Sequence, residues 1–302
     1  VQSDFGVGSW LANGAIDKLF SLAPGSEPRL EYISKDEEIF TCTGQDILDE
    51  IVLSRSIRIS FELQIDIETL EILLFWAFGA QAGGDITMLT ETEFQPSATT
   101  FIWGHDDAAG TALKLGDLVL DELTLGAEVA GRVTCTVSFR GHGGPTDATS
   151  YPFPACDDGD PIRLSDGDFT LDGNSLIDEL RRIEFAYKNN LLFNDDPFTA
   201  ASIDVTRMER GDQREELFTF TIYGQPGDAL HTSALAKEKM PVAWQIGDGT
   251  PGITIEATSA ILKQGDGPGH DGEAARSVLG LIARPVKISG DADTPVKATV
   301  LP

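Results

Sequence analysis

The side chains able to ligate a metal or move a proton are four histidines, three cysteines and 49 carboxylates. His105, His142, His231 and His270 are scattered, and none has a second His or Cys at ligand spacing, so no metal site is expected. Cys42, Cys135 and Cys156 are odd in number and share no ligand spacing. Cys42 and Cys135 fall in strand-like patterns, where a free thiol behaves as a small apolar group. That usage fits a reducing compartment without a disulfide framework. The loop GDGPGHDG at 265–272 imitates a phosphate cradle, but it opens no βαβ unit and places Asp266 and Asp271 where an anion would sit. The acids between Asp157 and Asp172 miss the register of a calcium loop. Arg210-Gly211-Asp212 reads as a turn between strands. Nucleophile elbows, phosphate loops and a Cys-His signature are all missing from the sequence, and no two carboxylates stand apart for acid–base work. The expectation is a protein without catalysis or cofactor.

The chain that holds these groups has 302 residues, 41% of them apolar, which is enough for real cores. Its formal charge is −27, with 24 acids and 8 bases in residues 1–150 and 25 acids and 14 bases in 151–302. The excess is therefore not a tail. Groove binding to nucleic acid needs clustered Lys and Arg, which this distribution lacks. No apolar run reaches the roughly 18 residues of a membrane span, and VQSDFGVGSW has neither a basic start nor an apolar centre, so no secretion signal is expected.

The elements are mostly strands. In IRISFELQI, Ile57, Ile59, Phe61, Leu63 and Ile65 alternate with Arg58, Ser60, Glu62 and Gln64, giving one dry face and one wet face. DIETLEILLFWAFGA follows directly, with acids at its start, Gly79 at its end and Leu70, Leu73, Leu74 and Ala77 at helical spacing. The same order returns later. Leu217, Thr219 and Thr221 oppose Phe218, Phe220 and Ile222; a turn at Gly224 to Gly227 then leads to a helix over Asp228–Lys239, with Lys237 and Lys239 in its last turn. Each helix precedes a tryptophan strand, an Asp/Gly turn and an alternating strand: FIWGHDDAAGTALKLGD from Phe101 and VAWQIGDGTPGITIEATSA from Val242. Two units in one order predict a duplication into two domains rather than a solenoid. A strand pair surrounds Gly126–Gly131, and Ile183, Phe185 and Tyr187 alternate as a strand. The boundaries are an arm at 1–28, a first domain at 29–143, a Gly-, Pro- and Asp-rich linker at 144–168, and a second domain at 169–302. The class is α+β, mainly antiparallel β, with one helix flanking each domain.

The segments SRSIRISFELQIDIETLEILLFWAFGA, KLGDLVLDELTLGAEVAGRVTCTVSFRGHG and VTRMERGDQREELFTFTIYGQPGDALHTSALAKEKMPVAWQIGDGTPGITIEATSAIL resemble the tail tube proteins of long-tailed bacteriophages, in the longer form with two tube-type domains. The resemblance implies a non-enzymatic virion protein of tandem β-sandwich or partial-barrel domains. It also implies stacked rings around a channel for viral DNA, which passes without specific binding, and in a duplicated chain trimeric rings with pseudo-sixfold symmetry. The implied partners are further copies of the chain, the tape measure, tail tip and terminator proteins, with no membrane; the implied location is the virion tail, after assembly in the host cytoplasm.

On that reading the wet strand faces are the lumen, with Glu62, Asp117, Asp121, Glu122 and Glu256 as candidate lining acids and Trp103 and Trp244 as core anchors. A carbohydrate-binding β-sandwich of a virion or cell surface is the alternative, and needs an exposed aromatic platform. An acidic hydrolase would need turnover on polysaccharide or peptide. The related type VI secretion tube protein is usually a single domain, which the duplication disfavours.

Overall fold

A computed structural model describes residues 2–3, 22–40, 47–88, 99–104, 112–142, 146–148, 161–193, 208–210, 214–249, 251–265, 269–271, 276–287 and 295–301. The chain order opens with β1 (Gln2–Ser3), β2 (Arg29–Phe40), β3 (Ile47–Gln64), helix α1 (Ile67–Phe78), β4 (Gly79–Ala82) and β5 (Asp85–Met88). It continues through β6 (Thr99–Gly104), β7 (Ala112–Glu128), β8 (Thr134–His142) and β9 (Thr146–Ala148). A 3-10 turn at Leu164–Asp166 leads to β10 (Asp168–Leu171), β11 (Asn174–Ser175), β12 (Leu180–Lys188), β13 (Leu191–Phe193), β14 (Met208–Arg210) and β15 (Glu215–Tyr223). Helix α2 (Ala229–Ala236) is followed by β16 (Lys239–Ile246), β17 (Gly252–Gln264), β18 (Gly269–Asp271), β19 (Arg276–Pro285) and β20 (Lys297–Leu301).

The alternation read in IRISFELQI has its structural counterpart in β3. Ile57, Ile59, Phe61 and Leu63 are buried while Arg58, Ser60, Glu62 and Gln64 are half-exposed. Each large apolar side chain taken out of water contributes about 1.5–3 kcal/mol, which fixes the strand's register, since a slip of one residue would reverse its faces. Helix α1 starts where the Asp66 carboxylate accepts the Thr69 N–H at 2.6 Å. It stops at Gly79, whose φ of 94° a side chain would resist and whose N–H reaches the Phe75 carbonyl. Leu70, Leu73, Leu74, Trp76, Ala77 and Phe78 are all buried, because α1 lies against β4, β5 and β7 on one side and β17 and β20 on another.

All the strand pairings among the described residues are antiparallel. Eight strands form a ribbon in the order β2–β3–β8–β7–β12–β15–β19–β17, with β18 extending β17 along β19. The pairing order of the first four, β2–β3–β8–β7, recurs in the last four, β12–β15–β19–β17. The front part of β7 turns away to pair with β6 and β9, and the front part of β17 with β16 and β20. Beyond these, β1 pairs with β6 and β10 with β16. The result is one large antiparallel sheet that is not closed, with β13 and β14 forming a separate pair.

Several local expectations shift. Helix α2 ends at Ala236, three residues short of Lys239, because Lys237 takes a left-handed φ of 55° and Lys239 already begins β16. The stretch 144–168 contributes β9 and ends with Ile162 and Leu164 buried. The loop at 265–272 contains β18, and of 1–28 the described part includes Ala23, buried with its N–H on the Glu62 carbonyl. The sheet runs unbroken from residues before 144 to residues after 168 through the β7–β12 pairing, and one apolar core extends through both.

Candidate functional site: the polar face of the ribbon

The ribbon's dry face carries Phe61, Phe139, Leu123, Phe185, Phe218 and Leu281, all buried. Register places the opposite side chains on a common polar face. Arg58 lies across from Arg140, Glu62 from Thr136, and Thr124 from both Thr136 and Ala186. Glu122 lies across from Ser138 and Lys188, and Glu184 across from Gly126 and Thr219.

Acids and arginines on this face hold one another. The Arg58 guanidinium donates to Glu122 at 3.2 Å and to the Ser138 hydroxyl at 2.8 Å. Arg182 donates to Glu184 at 3.1 Å. Arg140 instead sits 2.7 Å from the carboxylate of Asp121, which lies off this face. These guanidinium groups are already beside carboxylates, which lowers their pull on any phosphate nearby.

Of the expected lining acids, Glu62 and Glu122 share this face. Asp121 does not: it is only 2% exposed and sits at a bulge where β7 slips against β8 between Leu120 and Glu122. Its carboxylate accepts the Leu191 N–H at 2.9 Å, and its carbonyl accepts the Asn189 N–H at 2.7 Å. Asn189 in turn donates to the Leu120 carbonyl at 2.8 Å and accepts the Tyr187 hydroxyl at 2.7 Å. Burial pushes the Asp121 carboxyl above its ordinary value, while the Leu191 N–H and Arg140 pull the other way. This network joins β7 and β8 to the chain just after β12, so it works as a structural clasp.

Glu256 lies elsewhere, on the front part of β17, 2.8 Å from the Lys297 ammonium on β20. Asp117 belongs to β7, but its side chain lies outside the described residues, as does that of Trp103 in β6. Trp244 is 1% exposed, between Phe169 on β10 and Ile255 on β17. Cys42, Cys156, His105 and the Gly-Asp of the Arg210 turn lie outside the described residues as well. Cys135 is buried, and desolvation, followed by the charge of Glu62, raises its thiol far above the ordinary range. Among the described residues no group of three or more His, Cys, Asp or Glu could hold a metal, and no helix is long and apolar enough to cross a membrane.

Sequence reading missed Arg58, Arg140, Tyr187 and Asn189 as a set, since Arg58, Arg140 and Asn189 meet partners on strands far apart in the chain. One signal was present. The apolar phase of LGDLVLDELTLGA slips from Leu118 and Leu120 to Leu123 and Leu125, which marks the bulge and removes Asp121 from the polar face.

Comparison with known families gives a match to the phage tail tube protein family over residues 44–295. The chain belongs to that family: it is a structural component of the phage tail that assembles with copies of itself and with other tail proteins, and not an enzyme. No curated protein matches the chain.

Proposed function

We propose that the chain is a duplicated tube subunit, three copies of which close a pseudo-sixfold ring, and that stacked rings form the conduit for viral DNA. The observation that carries this reading is the recurrence of β2–β3–β8–β7 as β12–β15–β19–β17, each followed by the same detour of its last strand into an outer sheet. A ring needs a head-to-tail contact between unlike surfaces, and two matched halves per chain let three chains supply six wall segments. Closing the sheet also removes its open edges, which otherwise invite aggregation.

The polar face of the ribbon is the lumen in this reading, lined by Glu62, Glu122 and Glu184 among threonines and serines. Duplex DNA carries a charge about every 1.7 Å, and a wall of unpaired Lys and Arg would retain it. Arginines that already face carboxylates hold it weakly. Glu256 and its Lys297 partner then belong to the outer sheet, and Asp121 to the clasp. The tape measure, tail tip and terminator proteins are the partners at the ends of such a tube, and assembly takes place in the host cytoplasm.

Negative-stain electron microscopy of the purified protein, with solution mass on the same sample, tests the reading. Annular particles of three chains are expected. Rings of six chains, or a monomer without annular particles at high concentration, would overturn it.

A further inference from the structure

The two halves can be aligned from their tryptophan hairpins and strand register. Ile59 faces Phe139, which faces Leu120; Phe218 faces Ala283, which faces Leu262. Leu120 and Leu262 hold the same place in the two halves of the ribbon when Ile59 is matched with Phe218. Seven residues earlier on each strand stand Leu113 and Ile255, and these face Trp103 and Trp244. The tryptophan hairpins thus fix the match of Leu120 with Leu262, and strand register carries it across to Ile59 and Phe218.

The alignment also pairs residues whose surroundings differ sharply. Tyr32 faces Ile57 on β3, and the corresponding pair is Tyr187 with Glu216 on β15. Tyr187 is 1% exposed because β12 is covered on its other edge by β7, where Tyr187 faces Leu123, and because Phe78 of α1 packs on its ring at 5.5 Å. Tyr32 is 59% exposed. Among the described pairings, β2 pairs only with β3. The helices repeat the contrast. Leu73 lies seven residues after the N-cap Asp66 and is 0% exposed, on a helix held between strands of both halves; Leu235 lies seven residues after the N-cap Asp228 and is 61% exposed.

The counterpart of the β7 edge is also open. Leu123 faces Val137, and the corresponding residue facing Leu281 is Gln264. Among the described pairings, Lys263, Gln264 and β18 have β19 on one side and no strand on the other.

Resting on the duplicated-subunit reading, we propose that β2 of one copy pairs antiparallel with the β17–β18 edge of a second copy, with Tyr32 opposite Gln264, repeating between chains the β12–β7 junction inside each chain. The outer face of α2, which carries Leu235 in its last turn, then packs on the neighbour's β7 and β9, as α1 packs on β17 and β20 within the chain. Two of the four exposed large apolar side chains among the described residues, Tyr32 and Leu235, are buried by this one contact.

Cross-linking tests it on the full chain. In a background with Cys42→Ser and Cys156→Ser, Tyr32→Cys and Gln264→Cys are combined, since directly opposed residues have Cβ atoms about 4.5–5.5 Å apart, within small backbone adjustments of a disulfide. Oxidation of assembled protein should give covalent multimers for the double variant and none for either single variant. Tyr32→Asp and Leu235→Lys should each weaken assembly about tenfold or more while leaving the monomer's melting temperature unchanged, as expected where a central apolar anchor is lost from an interface. Annular particles that form normally in both variants, with no cross-linking in the double, would place the junction elsewhere and leave the tube reading standing. Wild-type protein that never associates would overturn the tube reading and this junction together.

Discussion

At the residue scale, the polar groups with the greatest energetic consequence are those of the clasp around Asp121. Its carboxylate is buried, accepts the Leu191 N–H and faces Arg140. Removing the carboxylate takes the acceptor from the buried Leu191 N–H and the counter-charge from the partly exposed Arg140, so Asp121→Ala should lower unfolding free energy by about 2 kcal/mol, read by urea denaturation of the unassembled chain. The pH dependence has a definite sign. Because burial raises the carboxyl above its ordinary value of 3.8, the folded chain holds this proton more tightly than the unfolded one. The contribution of Asp121 to stability therefore falls as pH rises from 3.8 through the raised value. Asp121→Asn lacks that titration, so its stability relative to wild type should improve over the same interval; a relative loss would refute the assignment. Cys135 offers a simpler check. Buried and held as the neutral thiol, it should resist maleimide in the native chain and react once the chain is unfolded.

At the element scale, α1 depends on its two ends. Asp66→Ala deletes the acceptor for Thr69 and should cost about 1 kcal/mol, and Gly79→Ala a similar amount through its positive φ; melting temperatures would report both. These ends were legible in the sequence, as was β3, since an Asp before an apolar helical period and a strict alternation are local signals. The phase slip in β7 was equally local and was the cue to Asp121. Pairings between distant strands were not legible. Nothing in Ile183, Phe185 and Tyr187 says that their strand lies between β15 and β7, and nothing in Asp85–Met88 names β20 as its partner. Periodicity states which face of a strand is dry; it does not name the neighbour. The two tryptophan hairpins were visible as repeated phrases because each hairpin closes within its own stretch of chain.

At the scale of the whole molecule, charge and sheet continuity work against each other. A chain of −27 that must meet further copies of itself does so against mutual repulsion. Raising ionic strength from about 10 mM to about 150 mM shortens the Debye length from roughly 30 Å to roughly 8 Å, so association should accelerate. Light scattering at fixed protein concentration would show it, and a rate that falls with salt would mean that cross-chain ion pairs dominate instead. The continuous sheet makes a different demand, because β20 completes β5 across a separation of 214 residues between Thr299 and Asp85.

That long-range order has a consequence in time. As the chain leaves the ribosome, β7 and β8 are complete while the edge of β7 from Glu122 to Glu128 still lacks the strand that covers it. Its partner β12 emerges about sixty residues later, and at roughly 5–20 residues per second the edge waits about 3–12 s. Throughout that wait, neighbouring ribosomes on one message present nascent copies of the same uncovered strand, so translation speed across residues 129–188 sets how long the subunit is open to pairing with the wrong chain.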